Sequence, residues 1–220
     1  MGLPQPRFEP QSPGLELQFR PVRLMAGSDA FEIGLCVPES AKTLVLVAGE
    51  SRAGLQAGTE MARSLVGAGM AVMQVDAPER PSGAARGEAD AIGQWAGRLI
   101  EAARWARTRA LVWDMPQGLL GAGCGAAAAI EAAAALDGTV GALVVLEPRL
   151  DLVSRVALAL NRAPTLVLVQ GQSQPGWMPQ AGPVECVLRR LPAAVGGREV
   201  PGTGALSEAR TWLARHLFPA

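Results

Sequence analysis

Four short apolar runs constrain this chain more than any other feature: TLVLVAG from Thr43, AVMQVDAPE from Ala71, GALVVLEP from Gly141 and APTLVLVQG from Ala163. None alternates apolar with polar residues, and each stops at a turn residue or a charge. A strand that reads this way is buried on both faces, which is the mark of a parallel sheet covered by helices. The segments between the runs carry helical patterns. One helix is expected from about Thr59 to Val66. A longer one, AIGQWAGRLIEAARWAR, puts Ile92, Trp95, Leu99 and Trp105 near one face. An alanine-rich helix follows the turn at 121–125, then come LVSRVALALN and a closing amphipathic helix, SEARTWLARHLF.

Two stretches read differently. LELQFRPVRL and FEIGLCVP alternate apolar and polar residues, as half-exposed strands do. VECVLRRL reads as an edge strand near the end of the chain. The fold class is therefore α/β, with a mostly parallel central sheet, helices on both faces and an antiparallel N-terminal strand pair. Residues 1–14, rich in proline and glutamine, form a loose N-terminal arm. Residues 15–220 form a single domain without an internal repeat.

Composition closes several routes. Twenty basic residues balance twenty acidic ones, so neither nucleic acid nor an anionic lipid surface is an expected partner. Lys42 is the one lysine and His216 the one histidine, and tyrosine is absent. Cys36, Cys124 and Cys186 are far apart and odd in number, which suggests reduced thiols in a cytoplasmic protein. No ligand pairs have metal-site spacing, so no metal is expected. The N-terminus lacks a signal-peptide pattern, and no apolar run approaches the roughly 20 residues that span a bilayer, so no membrane insertion is expected.

In such sheets ligands bind at the carboxyl ends of the strands. The turn there that matters most is Gly121-Ala122-Gly123-Cys124-Gly125, between a strand and the alanine helix. Two readings compete for it. LVLVAGES, GAGMAVMQVDAPE, GLLGAGCGAAAAIEAAA, VGALVVLEPRLDL, RAPTLVLVQGQSQP and VPGTGAL…WLARHL follow the two N-terminal strands in order. Over nearly the whole chain this resembles the α/β-hydrolases of the dienelactone-hydrolase-like kind. That resemblance implies a nucleophile elbow, G-x-S-x-G, whose apex serine is replaced here by Gly123. It places the catalytic acid near Ser173 in VQGQSQP, where there is no carboxylate. It places the histidine near Gly204 or Ala205 in VPGTGALS, where there is no imidazole. Ala48-Gly49 stands where a histidine-glycine usually follows the first buried strand.

The resemblance thus implies a hydrolase fold with no catalytic residues, a pseudoenzyme serving as an interaction or structural subunit or as a small-molecule binding module. A residual pocket would draw on Glu50, Ser51, Gly123, Cys124 and Trp177, and no cofactor is expected. A protein partner or larger complex is expected, and Trp177, amid proline and glycine, is a candidate anchor. His216, inside the last helix, is expected to face solvent or pack locally.

The second reading takes Gly123 at face value. Gly121, Gly123 and Ala126 satisfy G-x-G-x-x-[GA], and Glu147 ends the next strand where an acidic residue would bind a ribose hydroxyl. That alternative is a flavin- or nicotinamide-dinucleotide protein. A third is a hydrolase with a non-standard nucleophile, either Cys124 at a helix N-terminus or Ser51 in GESRA. Asp76 and Asp151 are expected as caps or pocket carboxylates, and Arg149 as a surface partner of Glu147.

Overall fold

In the computed structural model, residues 18–49, 55–78, 87–170, 185–191 and 203–218 are described, with side chains from position 61 onward in the first helix. Among these residues, eight strands form one sheet in the order β1-β2-β4-β3-β5-β6-β7-β8. The strands are β1 (Arg20–Ala26), β2 (Asp29–Cys36), β3 (Thr43–Gly49), β4 (Met70–Asp76), β5 (Gln117–Ala122), β6 (Val140–Leu146), β7 (Thr165–Gln170) and β8 (Cys186–Leu191). β1 and β2 are antiparallel and β2 joins β4 antiparallel; every other pairing is parallel. The fold class read from the apolar runs is the one found.

The helices are α1 (Leu55–Gly67), α2 (Glu88–Ala106), α3 (Cys124–Ala135), α4 (Arg155–Leu160) and α5 (Thr203–Leu217). They divide between two cores. On one face, Leu44, Leu46 and Ala48 of β3 pack with α2, α3 and α4; on the other, Val45 and Val47 pack with α1 and α5. This division is why the β3 run is apolar at every position. In β1 and β2, Val22, Leu24, Phe31 and Ile33 join the first core while the intervening Arg23 and Glu32 are exposed, hence their alternation. Among the described residues, no helix is long and apolar enough to cross a membrane.

Some boundaries differ from the sequence reading. α5 begins at Thr203, a turn earlier than SEARTWLARHLF, so Gly204 and Ala205 lie inside its first turn. Ala205, Ala209, Trp212 and Leu213 are all buried, and that i, i+4, i+7, i+8 spacing fixes the helix where weak formers such as Gly204 mask its start. α1 starts at Leu55 and not near Thr59. Ile92, Trp95 and Leu99 are buried as expected, but Trp105 is only partly buried, because Ala102, Ala103 and Ala106 fill the face instead. Its ring carries the Arg109 guanidinium 4.8 Å from the centroid.

Candidate functional site at the carboxyl edge of the sheet

Gly123 joins β5 to α3 with φ 53° and ψ −118°, a region an L-residue enters only under strain. A Cβ on Gly123 would meet nothing within 4 Å. The glycine is needed there for conformation, not for room. Its neighbours are the reverse. A Cβ on Gly121 would lie 2.4 Å from the Gly125 carbonyl oxygen, and one on Gly125 would lie 2.7 Å from the Ala48 oxygen and 3.0 Å from Trp95 Cη2. The flanking glycines therefore allow strand and helix to close on each other, which leaves the apex held out from the sheet.

The segment after β6 clamps the apex from one side. The Gly123 N–H donates to Leu146 O (2.9 Å), and the Arg149 N–H donates to Gly123 O (3.3 Å). Between them Glu147 sits at φ 43°. Its N–H donates to Leu168 O, and its carboxylate accepts the Gln170 N–H at the end of β7. Arg149 is not paired with Glu147, contrary to the sequence reading. Its guanidinium holds Asp151 through two contacts (2.9 and 2.7 Å) and Glu88 at the start of α2 (3.4 Å). The side chain of Glu147 turns to β7 instead, so the two neighbours point apart. Cys124 follows the apex, half-buried against the first core.

Trp95 braces the turn from below, donating Nε1–H to Val75 O (3.0 Å) while its ring edge lies against Gly125. Asp76, at the end of β4, is half-buried, and burial raises its pKa ahead of the opposing hydrogen bond from Gln74. Glu32 on β2 adds to that rise. Burial likewise pushes up the Cys36 and Cys186 thiols.

His216 is at the other end of the molecule. A Cβ on Gly141, the second residue of β6, would lie 3.8 Å from His216 O and 2.9 Å from Leu217 Cδ2. Trp212, its ring tilted 50° to that of His216 with centroids 4.3 Å apart, donates toward Pro164 O just before β7. His216 Nε2 is 3.6 Å from Glu185, just before β8. All three contacts mark the amino ends of the strands, whereas Gly123 lies at the carboxyl end of β5. The length of β5 alone separates the two edges by about 16 Å at ~3.3 Å per residue.

Glu50, Ser51, Ser173 and Trp177 lie outside the described residues. Positions 171–184 contain no carboxylate in the sequence. Among the described residues, no three of His, Cys, Asp and Glu stand together as metal ligands would.

An eight-stranded sheet with this crossover order and a glycine-flanked elbow after β5 defines an α/β-hydrolase fold. Within that class the fold is dienelactone-hydrolase-like. Its fold matches a dienelactone hydrolase from Anabaena variabilis with a TM-score of 0.75 and 26% identity, over 92% of this chain and 99% of that one. It also matches an alpha-beta serine hydrolase homologue from Coxiella burnetii (TM-score 0.63, 17% identity, 93% and 100% covered). A third match is the carboxylesterase EstE1 cloned from a metagenomic library (0.67, 14%, 93% and 92%). Those two likenesses concern the fold alone. No family model matches the chain. Among curated proteins, it is 33% identical over 190 residues to a protein described as "Putative phosphoribosyl transferase" in two strains of Mycobacterium tuberculosis. The match takes in 83% of this chain but only 42% of the relative's length.

Proposed function

We propose that this chain is a non-catalytic α/β-hydrolase-fold module, acting as an interaction or structural subunit or as a binding module that keeps the old pocket. One observation carries the reading. The apex of the elbow retains the backbone geometry that presents a nucleophile but bears no side chain, while the chain's one imidazole sits at the opposite edge of the sheet. A histidine base must stand within hydrogen-bond distance of the nucleophile, and no rotation of a side chain spans a sheet. The same distance argues against Cys124, since a thiol there has no imidazole to activate it. Ser51, outside the described residues, would need the same base to act as a nucleophile.

The dinucleotide alternative has less support. A phosphate cradle needs free N–H groups, yet the Gly123 N–H is taken by Leu146 O and the Glu147 carboxylate by the Gln170 N–H. The mycobacterial relatives favour an interaction role. In them the matched segment belongs to a chain more than twice as long, so this fold works there beside further protein. A phosphoribosyl-transferring module, on the same polypeptide or another, is the partner the proposal names.

The test is an ester and lactone hydrolysis assay on the purified chain beside its Cys124→Ala and Ser51→Ala variants. No turnover above buffer is expected from any of them. Turnover lost on Cys124→Ala or on Ser51→Ala would replace this proposal with a hydrolase using that nucleophile.

A further inference from the structure

β8 is the outermost strand on its side of the sheet, paired only with β7 among the described residues, and none of its residues is fully buried. Elements with little buried contact open at the lowest free energy. Its amino end is tied down at Glu185. The Glu185 carbonyl accepts the Thr165 N–H (2.8 Å), and its carboxylate faces α5, with Oε1 3.3 Å from Arg215 Nη1 and Oε2 3.6 Å from His216 Nε2. The His216 side chain is 15% exposed and packs on Trp212, and its Nε2 is buried with no hydrogen-bond partner among the described residues. At 3.6 Å the carboxylate is too far to serve as one. The strands beneath α5 (β5, β6 and β7) carry no charged residue, β8 carries Arg189 and Arg190, and among the described side chains α1 beside it brings Arg63.

We propose that His216 is an acid-operated latch on this edge strand. Neutral, its ring seals α5 against the start of β8; protonated, it leaves Trp212 and the strand opens. A neutral ring leaves only an unpartnered nitrogen, which costs less than a buried charge. A charged ring would be buried beside a carboxylate already shared with Arg215. Burial holds the imidazole below its ordinary pKa, ahead of the opposing pull of Glu185, and Arg215 adds to the lowering. The opened state therefore binds the proton more readily. Opening is favoured as pH falls through the ordinary imidazole value.

Hydrogen exchange on the full chain, corrected for the intrinsic pH dependence, reads this directly. Between about pH 7.5 and about pH 5.5 the opening of residues 186–191 should rise by up to about tenfold, the limit for an imidazole titrating near 6.5. β5 and β6 should hold their protection, and His216→Gln should lose the rise. Equal protection of β8 at both pH values, or the same rise in His216→Gln, would overturn the latch. A second reading needs no variant, because one histidine gives one imidazole signal. An NMR titration midpoint below the ordinary range is expected, and one at or above it would overturn the proposal.

Discussion

Gly123 and His216 lie at opposite edges of one sheet, the first at the carboxyl end of β5 and the second over the amino ends of β6, β7 and β8. In this fold a base serves the elbow only from the carboxyl edge, so the relationship separates shape from chemistry. The turn keeps a hydrolase's geometry, and the imidazole has a packing position.

Restoring a side chain at the apex should cost stability through the backbone alone. Gly123→Ser and Gly123→Ala face open space but force an L-residue to φ 53°, a strain of about 1–3 kcal/mol. Thermal unfolding should show a Tm lower by about 2–12 °C, at about 2–4 °C per kcal/mol for a chain this long. Serine and alanine should behave alike.

The flanking glycines should be less forgiving, although neither has positive φ. Gly121→Ala sets a methyl 2.4 Å from a backbone oxygen, and Gly125→Ala sets one 2.7 Å from another. Backbone cannot yield as a side chain tip does, so each variant should lose more stability than Gly123→Ala, by several kcal/mol. Denaturant midpoints for the three variants, measured side by side, check that order.

Arg98 ties three elements together. Its guanidinium binds Asp29 at the start of β2 through two contacts (2.6 and 3.1 Å), donates to Asp76 O (3.2 Å) and lies 5.3 Å from the centre of the Phe31 ring. Arg98→Met should destabilise by about 2–3 kcal/mol, since it leaves the part-buried Asp29 carboxylate with the Gln94 hydrogen bond but no balancing charge. Adding Asp29→Asn to that variant should cost little more, and a double-mutant cycle in urea measures the coupling.

Asp76 should respond to pH in the sense opposite to a salt-bridged carboxylate. Burial raises its pKa in the folded protein above the ordinary 3.8, so the folded state binds the proton more tightly than the unfolded chain. The stability this contributes is present below 3.8 and is lost as pH rises through the higher folded value. Asp76→Asn should therefore raise Tm at neutral pH, with the gain shrinking toward about pH 4. Melting curves across that window check the sign.

Most of the fold was legible because its signals are local. β3, β4, β6 and β7 read as buried strands since two cores share their side chains, and Gly121, Gly123 and Gly125 marked the elbow by spacing alone. What stayed hidden depends on three-dimensional neighbours. Nothing in the order of residues places Glu88, from the head of α2, on the Arg149 guanidinium, or turns Glu147 toward Gln170. The edge on which His216 falls required the register of α5, whose first turn is obscured by Gly204 and whose direction only the sheet supplies.

The most direct measurement is intact-protein mass after exposing Gly123→Ser to a fluorophosphonate, which phosphonylates a serine only when a base activates it. No added mass is expected, because the side chain returns to the elbow while the imidazole remains at the far edge. Stoichiometric labelling of the introduced side chain would show a working base at the carboxyl edge and would contradict the non-catalytic reading.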